Sequence, residues 1–404
     1  SWIPSGTAAQ SMRETDILII GGGMAGSTTA FQLAEFGRDV TLLERNTIAS
    51  EASGQNMGGL GGAGWGNMPS LLSYLTMGSL EIFKQLQIDM GFDMEFRLSG
   101  GLTAIHTEAQ FEYFEARARS LRADGYDGEL LTPREARAIE PGASQEMLGY
   151  LHLPGRGQAD PVKSTQAFAE AARRAGASID TGQNVTAISI EGNGGYRVRT
   201  DAAEYRCQTL VLAAGSWCGP VGRMLGLNIP IKPIRGQMWA TEKLSPRVFH
   251  LISSAESSYA WSIDNGADES TPPNLTHKGD RRMTRHLYGR QRKNGEIIFG
   301  GDRQDVGYNT TPDPEGIDVN RGQAAEVVPL VADLPIARTW GGLMPFSIDG
   351  SPIIGRIPQR DNLFIVSGLA SSGFGRGPMA GKLAAELIHT GQMPRVLAEA
   401  DPAR

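Results

Sequence analysis

The chain has 404 residues, 40% hydrophobic and 20% charged, with a net charge of -6 and a mean hydropathy of -0.24. That length exceeds one compact core and argues for two domains, while the acidic balance excludes a basic face for nucleic acid or a polybasic patch for anionic lipid. No apolar stretch approaches the roughly 20 residues needed to span a bilayer, and Cys207 and Cys218 have neither metal-ligand nor redox spacing.

Residues 1–13 lack the hydrophobic segment of a secretory signal and read as a flexible leader. With two cysteines expected as buried thiols, the compartment expected is the cytoplasm. The buried-strand run Ile17-Leu18-Ile19-Ile20 then enters Gly21-Gly22-Gly23-Met24-Ala25-Gly26, a G-x-G-x-x-G pattern. Gly21 permits the turn, Gly23 lets backbone approach a pyrophosphate, and Gly26 lets the next helix lie close on the strand. That helix is expected over 24–36, stopped by Gly37. A second strand over 40–43 ends at Glu44, 18 residues after Gly26, the offset at which a carboxylate meets a ribose. Strand, glycines, helix, strand and acid in this order define a dinucleotide site.

The glycine-rich stretch 49–66 cannot be regular structure throughout and is expected to wrap a flat or anionic group. Helical spacing of Leu71, Leu72, Leu75, Leu80, Phe83 and Leu86 predicts a helix over 69–90. A hairpin is expected between 94–97 and 102–105, a charged helix over 108–124, and helix starts at Thr132-Pro133 and Asp160-Pro161. Strands are expected over 185–190, 196–200 and 209–212, then at 236–240, 259–263, 285–289 and 296–300. The polar stretch 264–281 reads as a loop, either a lid or a disordered excursion. His277 and His286 fall in different local contexts, so no metal site is expected. Finally, a strand over 363–367 runs through a glycine loop over 371–378 into a helix from about Met379. A second strand-loop-helix element far from the first suits a long cofactor with a second anionic end, which favours FAD over NAD.

With both ends in view, the chain resembles the FAD-dependent D-amino-acid-oxidase superfamily, the group of glycine oxidase, sarcosine oxidase and bacterial D-amino-acid dehydrogenases. The resemblance rests on GGGMAG with Glu44-Arg45, ASGQNMGG, GQADPVKSTQAFAEAARRAGA, LVLAAGSW, PIRGQM, GGLMPFSIDGSPIIG and SGFGRGP. It implies α/β and α+β architecture: a Rossmann-like FAD-binding domain (14–91, 152–229, 336–395) interleaved with an antiparallel-sheet substrate domain (92–151, 230–335). Residue by residue, it implies Gly21, Gly23, Met24, Ala25 and Gly26 at the pyrophosphate and Glu44 and Arg45 at the adenosine ribose. Ser53, Gly54, Gln55, Asn56, Met57 and Gly58 would follow the ribityl chain and flavin. Val185 would touch the adenine, Ala213 and Gly215 would flank the cofactor, and Gly342, Leu343, Gly373, Phe374, Gly375, Arg376 and Gly377 would close around the isoalloxazine.

The implied chemistry is oxidation of the C–N bond of a small amine or amino acid, with noncovalent FAD as hydride acceptor and oxygen or an electron carrier as the final acceptor. Two rival readings are a larger natural-product-like substrate and a flavin-carrying subunit of a multicomponent dehydrogenase. Met344 stands where amino-acid-specific relatives often place a carboxylate-clamping arginine, which a thioether cannot imitate. Arg97, Arg303 and Arg376 are the candidate replacements. Tyr259 and Tyr288 are expected on strands facing the flavin, their phenols able to orient substrate; Trp261, His286 and Arg290 are weaker candidates.

Overall fold

The computed structural model describes residues 12–263, 276–278 and 280–404. Its first sheet is built around Met12–Ile20, flanked in parallel by Glu204–Leu212 and Val40–Leu43. Ser178–Asp180 extends the sheet beyond the latter and Leu363–Ser367 beyond the former, and Ile353–Arg356 closes that edge antiparallel. Residues 17–20 are buried on both faces, as a central parallel strand requires. Alternation sends Ile17 and Ile19 into one core with Phe31, Leu33, Phe83, Phe168 and Leu383. Leu18 and Ile20 enter the other, with Tyr205, Leu210 and Leu212. On the first side lie the helices Met24–Glu35, Leu71–Lys84, Pro161–Arg174 and Gly373–Thr390.

A second eight-stranded sheet runs, in spatial order, Ile336–Ser347, Ile231–Lys243, Glu296–Gln304, Tyr288–Gln291, Leu251–Ser254, Gly101–Ile105, Gly149–Leu153 and Glu129–Leu131. Its pairs are antiparallel except Leu251–Ser254 with Gly101–Ile105. One face is closed by the helix Pro314–Val327, with Trp239 stacked on Phe299 at 5.7 Å and its indole N–H donating to Asn320 Oδ1. Register places Thr103 beside Ser253, and Ser253 beside Tyr288, so the three share a row. Two bonds tie the sheets together: Trp340 Nε1 donates to Gln55 O in the glycine-rich segment (2.9 Å), and Ser216 Oγ, just after the strand Glu204–Leu212, donates to Leu343 O (3.0 Å).

Several expectations are corrected here. Residues 94–97 form no hairpin with 102–105; Gln87 takes the place of a partner strand, its Oε1 accepting from the N–H groups of Met94 and Phe96 and its Nε2 donating to Phe96 O. Tyr259 lies on a helix, Glu256–Ile263, not a strand. Ser254 Oγ accepts from Glu256 N–H and Ser257 Oγ donates to Ser254 O, so local capping overrides the alternating pattern. The strand expected from Arg285 begins at Tyr288, because His286 has φ 60°. The last helix starts at Gly373, and the first strand at Met12, inside the leader expected over 1–13. Residues 336–347, assigned on sequence to the nucleotide-binding half, form an edge strand of the second sheet. Most of the 264–281 loop lies outside the described residues, although His277–Lys278 and Arg281–Arg282 pair as short strands.

Candidate active site

A cavity of about 1090 Å³ lies between the two sheets, running from the glycine turn after Ile20 to the row Thr103, Ser253, Tyr288. The volume exceeds the roughly 300–1,000 Å³ typical of a small-molecule pocket, as a dinucleotide with a substrate beside it requires. At its entrance Gly21 has φ 120°, and a Cβ there would fall 2.2 Å from Ala213 O. A Cβ on Gly23 would meet Ser53 Oγ at 2.8 Å. That hydroxyl accepts from the Met24 N–H at 2.9 Å, tying the start of the Met24–Glu35 helix to the glycine-rich segment. Backbone kept free of side chains against a helix N-terminus is what a pyrophosphate needs. Among the described residues the fit to FAD is therefore good.

Glu44 lines the cavity while its two oxygens accept from the N–H groups of Gly22 (3.2 Å) and Asn46 (2.6 Å). Arg45 pairs with Glu51 (2.7 Å) and lies over the Trp217 ring (4.2 Å), forming a planar wall that the sequence alone did not single out. Val185, Ala213 and Gly215 line the same end; Gln55, Asn56, Met57 and Gly58 line the middle, and Gly342, Leu343, Gly373, Phe374, Gly375 and Arg376 the far end. Three glycines expected at the cofactor do not line the cavity. A Cβ on Gly26 would sit 1.9 Å from Gly21 O, on Gly54 1.9 Å from Ala49 O, and on Gly377 2.8 Å from Met24 Cγ. Close packing explains all three.

The substrate-side candidates divide. Tyr288, Met344 and Arg303 share the cavity wall on the second sheet, with Met344 and the Tyr288 hydroxyl both beside Gly236. Arg303 lies over the Phe346 ring at 5.0 Å. Burial pushes the Tyr288 phenol up to about 12, so at neutral pH it is protonated and able to donate. Burial, with Arg303 and Arg285 nearby, holds His286 well below the usual imidazole range; the residue lines the cavity, and its Nε2 is buried without a hydrogen-bond partner. Tyr259 is outside, its ring packed edge-on against Tyr113 at 5.2 Å. Arg97 is also outside, spent on Gln158 Oε1 and Gln291 O. Trp261 is a residue whose side chain is not described.

Arg290 proves to be structural. Only 1% exposed, it donates through Nε to Met57 O, through Nη2 to Ala159 O (3.2 Å) and through Nη1 to Gln158 Oε1 (3.2 Å). It thus braces the Met57-Gly58 turn from behind. Cys207 and Cys218 are buried free thiols that do not line the cavity, and no cluster of metal-ligating side chains occurs among the described residues. No helix of the described residues is long and apolar enough to cross a membrane.

A dinucleotide cradle at one end, a helix N-terminus at the other and a polar sheet face beyond it define a flavin-dependent oxidoreductase. The model of the family "DAO: FAD dependent oxidoreductase" matches residues 16–387, and the chain belongs to that family. It is similar to the sarcosine oxidase subunit beta of Rhizobium meliloti (strain 1021), 28% identical across 97% of this chain and 88% of that protein. Glycine oxidase of Bacillus licheniformis is 24% identical, covering 92% of each chain. Among solved structures, L-proline dehydrogenase from P. horikoshii superposes with a TM-score of 0.82 at 26% identity, covering 98% of both chains.

Proposed function

We propose that this enzyme oxidises the C–N bond of a small amine or amino acid, N-alkylated ones included. The observation that carries the reading is the continuity of the cavity from the dinucleotide cradle to the Tyr288 row. Bound FAD would supply the acceptor for a hydride from the carbon next to nitrogen; the amine proton is lost to water, and the imine hydrolyses to a carbonyl compound with release of ammonia or, from an N-alkylated substrate, an amine. Tyr288, protonated, donates a hydrogen bond that orients the substrate. His286 stays neutral and adds no positive charge opposite the reacting amine. The substrate enters as the free amine, which leaves no task for a general base. Ser53, Met57 and Gly58 would hold the ribityl chain and flavin, and Gly342, Leu343 and residues 373–376, which line the same cavity, would close around the ring. Neither cysteine lines the cavity, which supports FAD held without a thioether link. A second reading, a flavin-carrying subunit, draws on the relative named as a subunit.

The test is anaerobic bleaching of the flavin by glycine, sarcosine, L-proline, D- and L-alanine and simple amines. Bleaching by at least one amine or amino acid is expected. If dithionite reduces the flavin and no member of the panel does, the reading fails. Oxygen uptake by the isolated chain separates an oxidase from an enzyme or subunit that needs a carrier.

A further inference from the structure

Arg156 is the cavity's unexplained cation. It lies in the short connection between Gly149–Leu153 and Gly157–Gln158, and its backbone is fixed: Gly100 N–H donates to Arg156 O at 2.8 Å. Two glycines clear a path for its side chain. A Cβ on Gly101 would fall 2.9 Å from Arg156 Cδ, and one on Gly59 would fall 3.0 Å from its Nη2. The guanidinium reaches the cavity beside Met57 and Leu251, yet among the described residues it has no hydrogen-bond or ion-pair partner, and its Nε is buried and unpaired. Of the other arginines that line the cavity, Arg45 pairs with Glu51, Arg376 Nε donates to Thr76 Oγ1 and Arg303 lies over the Phe346 ring. The guanidinium is partly buried, with Nε shut off from solvent, and an anionic ligand in the cavity would supply the counterion it lacks. Burial pulls Arg156 down to about 10, so it is still charged at neutral pH.

We propose that Arg156 binds the carboxylate of the substrate, so that the enzyme takes an amino acid rather than a simple amine; this rests on the amine-oxidation reading above. The sheet register sets the direction of the substrate. Gly101 pairs with Leu251 at the Arg156 end, and Thr103, Ser253 and Tyr288 continue as a row two residues further along. The Thr103 and Ser253 hydroxyls are hydrogen-bonded to each other at 2.8 Å and offer further polar contacts along that row. Met344 needs no arginine in its place, because the clamp comes from the other side of the cavity and from a different strand connection.

The experiment uses the FAD-loaded protein and two unreactive probes, methoxyacetate and its neutral counterpart methoxyacetamide, read by the shift each causes in the flavin absorbance. Losing a charge-assisted, bidentate contact corresponds to about 10- to 150-fold in affinity. Arg156→Met is expected to weaken methoxyacetate by at least about 30-fold and methoxyacetamide by less than about threefold. Arg156→Lys is expected to restore part of that loss, since an ammonium supplies charge without the fork. If both variants bind methoxyacetate within about threefold of the unaltered protein, the proposal is overturned. Should Arg156→Met fail to retain FAD, Arg156→Lys decides alone: a selective weakening of about tenfold supports the proposal, and parity overturns it. The proposal also fails if the unaltered protein ignores methoxyacetate. Flavin bleaching by amines lacking a carboxylate would then leave the amine-oxidation reading standing, whereas no bleaching by any amine would remove both.

Discussion

Replacing Arg290 by methionine tests whether the flavin segment is held from behind. The side chain is 1% exposed and donates to Met57 O, Ala159 O and Gln158 Oε1. Methionine keeps much of the volume but leaves all three acceptors without that donor. Each charge-assisted bond is worth about 1.5–3 kcal/mol, and breaking one side of a buried charged network costs about 3–5 kcal/mol rather than the full sum. Part of this is recovered, because a guanidinium pulled down to about 9 by burial is itself expensive to bury. A net destabilisation of about 2–4 kcal/mol is expected. Urea unfolding of the FAD-saturated protein, followed by flavin fluorescence and circular dichroism, reads it directly. The freed Met57-Gly58 turn should also raise the dissociation constant for FAD. A midpoint change equivalent to less than about 1 kcal/mol, with FAD affinity unchanged, would show that these bonds do not hold the site together.

Other perturbations follow from the same geometry. Gly26→Ala puts a methyl 1.9 Å from Gly21 O, so the helix must move off the strand; a loss of about 1–3 kcal/mol and weaker FAD binding are expected by calorimetry and flavin titration. His286 is held below its unfolded value, so below about pH 6.5 the unfolded chain takes up a proton that the folded chain refuses. Stability therefore falls as pH drops through that value, by up to about 2 kcal/mol between pH 6.5 and 5. His286→Asn, compatible with the positive φ, should flatten that part of the unfolding-versus-pH curve. Tyr288→Phe should raise KM or slow flavin reduction, while Tyr259→Phe, whose ring packs on Tyr113, should leave both unchanged; equal effects in stopped-flow reduction would contradict the placement of the two phenols.

The cofactor half was legible because its chemistry is written locally. Gly21, Gly23 and Glu44 lie within one strand-helix-strand unit, where spacing alone fixes their relation. Gly54 and Gly377 are expected at the cofactor because a motif records that a glycine is needed there, not whether ligand or neighbouring backbone demands it, whereas Gly26 packs helix on strand as its place in the turn implies. On the substrate side legibility drops sharply. The row Thr103, Ser253 and Tyr288 is assembled by pairing between three strands far apart in sequence, which no periodicity reveals. Tyr259 misled because Tyr-Ala-Trp-Ser-Ile alternates like a strand, while the deciding bonds come from Ser254 and Ser257, just before it. Arg156 carried no motif, and its meaning depends on which partners it lacks. Glycines at 59 and 101 were the available hint, since both glycines are needed only once the chain has folded around one side chain.

The helix Gly373–Thr390 begins at the flavin end of the cavity, yet it is anchored to elements from the start of the chain. Arg376 Nε donates to Thr76 Oγ1 and Met379 N–H donates to Ser79 Oγ, each across 300 residues. Gly377 and Gly381 pack directly on Met24 and Thr28. During synthesis, then, the dinucleotide turn emerges early but stays open on one side until residues 376–381 have been made. Closing the flavin end therefore rests on contacts of very large sequence separation, the kind that forms slowly in folding.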